Sequence, residues 1–182
     1  MALKATIFKA DLHVADMDRH YYAEHSLTIA RHPSETDERM MVRLLAFALN
    51  ADEALAFGKG LSTEDEPDLW RRDLTGAIES WIEVGQPDEK RILKACGRAR
   101  QVLVYSYGGV STVWWEQIKN KLDRARNVSV IRLPVSATLA LAKLAERGMQ
   151  LQCTVQEGQV WISSGEQTVE LEPEILKQAD PV

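Results

Sequence analysis

Trp81-Ile82-Glu83-Val84-Gly85-Gln86-Pro87-Asp88-Glu89-Lys90-Arg91 is the stretch on which the fold turns. It reads as a strand that breaks at Gly85-Gln86-Pro87 and restarts as a helix at Asp88, with charge crowded into the first turn. Alternate side chains of a strand face opposite ways, so Glu79, Trp81 and Glu83 share one face while Ser80, Ile82 and Val84 share the other. Both faces carry large apolar residues, so Glu83 is expected to be at least half buried. A buried carboxylate is costly unless it is paired, protonated or bound to a cation. Glu83 is therefore the residue to explain.

Upstream, residues 68–73 read as a strand, Leu74-Thr75-Gly76 as a turn and residues 77–84 as its antiparallel partner. Downstream, a helix from Asp88 to about Ala99 buries Ile92, Ala95, Cys96 and Ala99. Residues 101–107 are apolar enough for a strand covered on both faces. Gly108-Gly109 ends that strand, and Ser111 is placed to cap a helix carrying Trp114, Trp115, Ile118 and Leu122. Residues 127–133 read as a strand and 136–147 as a helix.

Before this block, Ser34 is read as the cap of a helix running to about Asp52, with Asp37 three residues on. Met41, Leu44, Leu45 and Ala48 give that helix one core-facing stripe, from which Glu38 also projects. For Glu35 and Asp37 the expected role is complementing the helix dipole. Residues 3–15 and 20–31 form a hairpin about Asp16-Met17-Asp18-Arg19. From Met149 the pattern becomes an antiparallel meander with one wet face. The expected fold is α/β with a mixed sheet and a single domain over residues 1–182. A hairpin (1–32) and a meander (149–182) flank a core (33–148), and pack together as a second small sheet or partial barrel.

The chain of 182 residues is 45% hydrophobic, enough for a substantial core. Lys and Arg total 22 against 27 Asp and Glu, a net charge of −5, which excludes a global basic footprint for nucleic acid but not a local basic cleft. No apolar run approaches a membrane span of about 20 residues, and the first six residues hold no apolar stretch of a signal peptide. A cytoplasmic protein is expected. The two cysteines, Cys96 and Cys153, lie far apart, and Cys96 reads as a buried thiol. The histidines 13, 20, 25 and 32 match no metal-ligand spacing. The Trp114-Trp115 pair reads as core, with a base-stacking platform as the alternative.

Glu38 opens the first core helix, while Asp68 and Glu83 meet at the end of their strand pair remote from the turn. Two such charges ~4 Å apart repel by about 4 kcal/mol at an effective dielectric of ~20. Something positive must sit between them. The choice lies between a hard divalent cation and a local one such as Lys90, Arg91, Arg71 or Arg72. Arg31, Arg39 and Arg43 offer a purely structural network instead.

A helix bearing Glu, a strand pair bearing Asp and Glu, then a helix and a further strand, resembles the PD-(D/E)xK nuclease-like core. More specifically, His32-Pro-Ser-Glu-Thr-Asp-Glu-Arg-Met-Met41, Glu66-Pro67 and the 81–91 stretch resemble the YaeQ family over essentially the whole chain. The resemblance implies a bacterial cytoplasmic protein with a variant nuclease-like fold and no established activity. It assigns Glu38, Asp68 and Glu83 to a Mg²⁺ or Mn²⁺, with Asp68, Glu83 and Lys90 as the catalytic set. Gly85 stands where the motif has lysine, and Lys90, with Arg91 second, is the substitute on the next helix. Two readings stay open. One is a metal-dependent phosphodiester hydrolase acting on nucleic acid. The other is a catalytically lapsed scaffold that binds a protein partner.

Overall fold

Alternation of apolar and polar residues makes the first strand one-sided. In β1 (Thr6–Asp16), Phe8, Ala10, Leu12 and Val14 are buried while Ile7, Lys9, Asp11 and His13 are exposed. A computed structural model describes residues 4–59 and 65–181. It divides into two compact units, Met1–Ala51 with Ser136–Pro173 and Asp52–Val135 with Glu174–Val182. The described residues make a mixed α/β fold with two mixed sheets and four α-helices.

In the first unit β1 pairs antiparallel with β2 (Tyr21–Arg31) about the expected turn, where His20 takes a positive φ of 56°. Its other edge pairs parallel with β8 (Gly148–Gln156). β9 (Gln159–Ser164) and β10 (Gln167–Leu171) continue antiparallel, so hairpin and meander share one sheet of order β10-β9-β8-β1-β2. Cys153 is fully buried on β8, and burial pushes its thiol up to about 12.

α1 (Asp37–Leu49) differs from its expected form in three respects. Its cap is Thr36, whose hydroxyl accepts the Arg39 N–H at 3.1 Å. Ser34 lies two residues too early and bonds His32 Nδ1 instead. Every residue from Met40 to Ala48 is buried, so the helix is covered all round rather than along one stripe. Covering Arg43 is possible because Glu35 is buried beside it. The Arg43 guanidinium donates to Glu35 Oε1 at 2.6 Å and Oε2 at 2.9 Å, and Arg39 donates to Oε2 at 2.7 Å. Glu35 thus does more than complement a dipole: it neutralises an arginine inside the core. α4 (Val135–Ala142) is shorter than expected and ends in turns.

The second unit is a six-stranded sheet of order β11-β7-β6-β5-β4-β3. The expected pair is β4 (Leu69–Arg72) and β5 (Ile78–Val84), antiparallel. The crossover through α2 (Glu89–Arg98) sets β6 (Ala99–Ser106) parallel to β5. α3 (Ser111–Ile118) and a 3-10 turn, Lys119–Leu122, lead to β7 (Val128–Arg132), parallel to β6. Ser111 does not cap α3; its hydroxyl bonds that of Ser106, and Val110 takes the cap position without a side-chain bond. Two short edge strands were not expected: β3 (Leu55–Phe57) on β4 and β11 (Glu174–Lys177) on β7. Trp81, Ile92, Val102, Val104, Leu122, Val128 and Val130 form the core of this unit.

Candidate functional site

Asp68 and Glu83 are brought together by register. Leu69 is paired with Ile82, which sets Asp68, one residue before β4, against Glu83, one residue before the end of β5. At the far end, beyond a register shift between Arg71 and Arg72, the Asp73 carboxylate holds the turn by accepting the N–H of Thr75 at 2.8 Å and of Ala77 at 3.0 Å. At the near end Asp68 Oδ2 accepts the Val84 N–H at 2.8 Å.

Glu83 is 4% exposed. Trp81, two residues back on the same face, donates its indole N–H to Glu83 Oε1 at 2.8 Å. Arg91 Nε donates to the same oxygen at 2.8 Å, and Arg91 Nη2 donates to the Glu66 carbonyl at 3.0 Å. Both donors go to Oε1, so Oε2 has no donor among the described residues. Burial, and then the charge of Asp68, push the Glu83 carboxyl up to about 7, against the lowering pull of Trp81 and Arg91.

The break after β5 explains how a cation arrives. Gly85 has φ +106°, a conformation that side-chain-bearing residues rarely adopt, and its N–H donates to the Tyr105 carbonyl at 2.8 Å. A lysine at this position would be strained by its backbone. Gln86 then anchors the turn to Ser106 Oγ and the Tyr107 carbonyl. Asp88 caps α2 by accepting the Arg91 N–H at 2.8 Å. One turn into that helix, Arg91 points back at Glu83.

Lys90 is exposed and, with Asp88, Arg91 and Lys94, lines a pocket. Glu38 belongs to the first unit, where Thr138 Oγ1 donates to its Oε2 at 3.0 Å. Arg39 and Arg43 serve Glu35, and Arg31 pairs with Asp37, acids other than the Glu38, Asp68 and Glu83 that the structural network was expected to hold. His13 pairs with Glu24, His25 with Tyr21 and His32 with Ser34. Trp114 is half buried and donates to the Pro87 carbonyl at 2.8 Å. The sequence from Gly58 to Pro67 reads as a polar loop long enough to form part of a site rim, and its residues 60–64 lie outside the described residues.

Among the described residues no group of three or more His, Cys, Asp or Glu is arranged to hold a metal ion. The pair Asp68 and Glu83 is a smaller donor set. Its features are one Glu83 oxygen that takes neither the Trp81 nor the Arg91 hydrogen bond, and the neighbouring Asp68 charge that raises the Glu83 carboxyl. Sequence reasoning missed two contributors. Trp81 has no role in the sequence reading of the site, although its place two residues before Glu83 puts the two on one face. Arg91 was ranked behind Lys90, yet its position at the third residue after the cap is what turns it toward the strand end.

The family model described as "YaeQ protein" matches residues 1–173. The chain is 47% identical over 173 residues to the uncharacterised protein YaeQ of Salmonella typhi, covering 94% of this chain and 96% of that one. It is 46% identical over 172 residues to its counterpart in Escherichia coli strain K12, with 94% and 95% covered. The crystal structure of YaeQ protein from Xanthomonas axonopodis pv. citri is similar with a TM-score of 0.93 at 54% identity, covering 97% and 99% of the two chains. That from Pseudomonas syringae gives 0.92 at 37% identity, covering 96% and 97%.

Proposed function

The chain belongs to the YaeQ family, and from that membership and the Asp68–Glu83 geometry we propose a metal-dependent phosphodiester hydrolase with a PD-(D/E)xK nuclease-like core. One observation carries the reading: a buried glutamate held beside a second carboxylate, its pKa raised to about 7, at the carboxyl end of β5. A strand terminus in an α/β sheet is where ligands bind. The order of α1, the β4–β5 pair, α2 and β6 supports the core assignment.

Asp68 and Glu83 would hold the cation. A bound Mg²⁺ or Mn²⁺ would polarise a phosphoryl oxygen and activate water at neutral pH. Arg91 fixes the orientation of Glu83 through Oε1 and keeps a guanidinium where negative charge develops on phosphate. Trp81 locks the same oxygen and keeps the inner side of the carboxylate dry. Lys90, exposed beside Arg91, faces solvent from which an anionic substrate arrives.

The test is cleavage of end-labelled single- and double-stranded DNA and RNA with Mg²⁺ or Mn²⁺. Wild-type protein cleaves at least one of them, and Glu83→Gln and Asp68→Asn each lose about 10²-fold or more, the usual cost of one charge-stabilising group. Absence of cleavage by wild type, or cleavage undiminished in both variants, overturns the reading.

A lapsed scaffold that binds a protein partner is the second reading. The observation favouring it is that Arg91 already neutralises Glu83 while the motif lysine position is Gly85. It requires no cleavage with any metal and a partner whose binding survives Glu83→Gln.

A further inference from the structure

The first two turns of α2 carry Lys90, Arg91 and Lys94, and these three with Asp88 line one pocket. For the helix alone this is a poor choice of residues. Cations near a helix N-terminus oppose the macrodipole, and like charges at i and i+4, as Lys90 and Lys94 are, repel across one turn. Neither lysine has an ion pair or hydrogen bond among the described residues. Of the other two lining groups, the Asp88 carboxylate is engaged as the helix cap and Arg91 is turned to Glu83 and the Glu66 carbonyl. Two exposed lysines and Arg91 therefore line one concavity, in a protein whose net charge is −5. The local charge invites an anion that the rest of the surface repels.

We infer that this pocket is a phosphate subsite for a strand of nucleic acid, with Lys90 and Lys94 closing on one backbone phosphate next to the one presented to Asp68 and Glu83. The inference rests on the phosphoester reading of that carboxylate pair, and it adds a second phosphate contact and the direction of approach. The two lysines stand one turn apart, about 6 Å along the helix axis, so a single phosphate reaches both. Arg91 belongs to both places: its Nε serves Glu83 and the residue is one of those lining the pocket. A strand bound here would be led along α2 to the end of β5. Phosphate contacts of this kind fix position without reading sequence.

Binding of a fluorescent 5′-phosphorylated oligothymidylate, measured by anisotropy in EDTA over a range of salt, tests the subsite apart from hydrolysis. Lys94→Gln and Lys90→Gln each weaken binding about 5- to 10-fold and lower the slope of log K against log salt, and the double variant lowers it by about 0.7, the value for one phosphate contact on a single strand. Lys94→Arg restores both, and Lys143→Gln, exposed in the other unit, changes neither. No binding by wild type, or slopes unchanged in both glutamine variants, overturns the subsite. The cleavage assay with metal reports on Asp68 and Glu83 separately. Hydrolysis that persists with unchanged salt slopes removes the subsite alone, while lysine-dependent binding without hydrolysis keeps the subsite and removes the catalytic reading.

Discussion

At the scale of the residue, Glu83 ties sequence to chemistry. Its carboxyl rises from 4.5 to about 7, first through burial and then through the Asp68 charge. The folded state therefore holds this proton more tightly than the unfolded chain between those values. Stability contributed at Glu83 is full below about pH 4.5 and is lost as pH rises toward 7, which corresponds to about 3 kcal/mol. Thermal melts in EDTA should then show wild type losing stability relative to Glu83→Gln between pH 5 and pH 8. A difference that stays constant with pH contradicts the assignment. Removing the guanidinium in Arg91→Gln takes away a lowering influence and extends the loss to higher pH. That Glu83 would be buried was legible in the sequence, because Trp81, Ile82 and Val84 leave neither face of the strand wet. That Glu35 would be buried was not. Its partner Arg43 lies eight residues on, and only the packing of α1 reveals that an arginine in the stripe region is inside.

At the scale of the element, the unit to consider is β5, its break and α2 together. Gly85 ends the strand at φ +106°, so the chain turns away at the position where the proposed nuclease-like core would keep a lysine. The cation is supplied instead from α2, where the Asp88 cap sets the phase of the helix and aims Arg91 at Glu83. Gly85→Lys consequently fails to restore a motif. Nothing lies within 4 Å of a Cβ built there, so the penalty is backbone strain of about 1–3 kcal/mol rather than a clash. A denaturant melt of Gly85→Lys as stable as wild type would show that the backbone at this position relaxes freely. The break and the restart were legible because Gly-Gln-Pro-Asp is strong punctuation. β3 and β11 were not: three or four residues at a sheet edge are too few to show a period, and their partners lie distant in sequence. The cap of α1 was misplaced by two residues because Ser34 and Thr36 carry the same chemistry, and only the backbone decides between them. Thr36→Ala should cost about 1 kcal/mol, read as a lowered melting temperature.

At the scale of the whole molecule, the two sheets were foreseeable from the change of pattern at residue 149, where covered strands give way to alternation with one wet face. The parallel pairing of β8 with β1, which welds the meander to the hairpin, was not, since register between distant strands leaves no local trace. With a net charge of −5, the anionic substrate proposed above would have to be drawn by a local field, and the lysines and arginine of α2 supply one beside the carboxylates. Among the described residues no helix is long and apolar enough to cross a membrane. The central claim is that Asp68 and Glu83 form a cation site, and titration calorimetry with Mn²⁺ at pH 8, where Glu83 is ionised, addresses it most directly. The account predicts one ion per chain for wild type and no measurable heat for Glu83→Gln or Asp68→Asn. Wild-type protein that binds no Mn²⁺, or variants that bind it equally well, would contradict it.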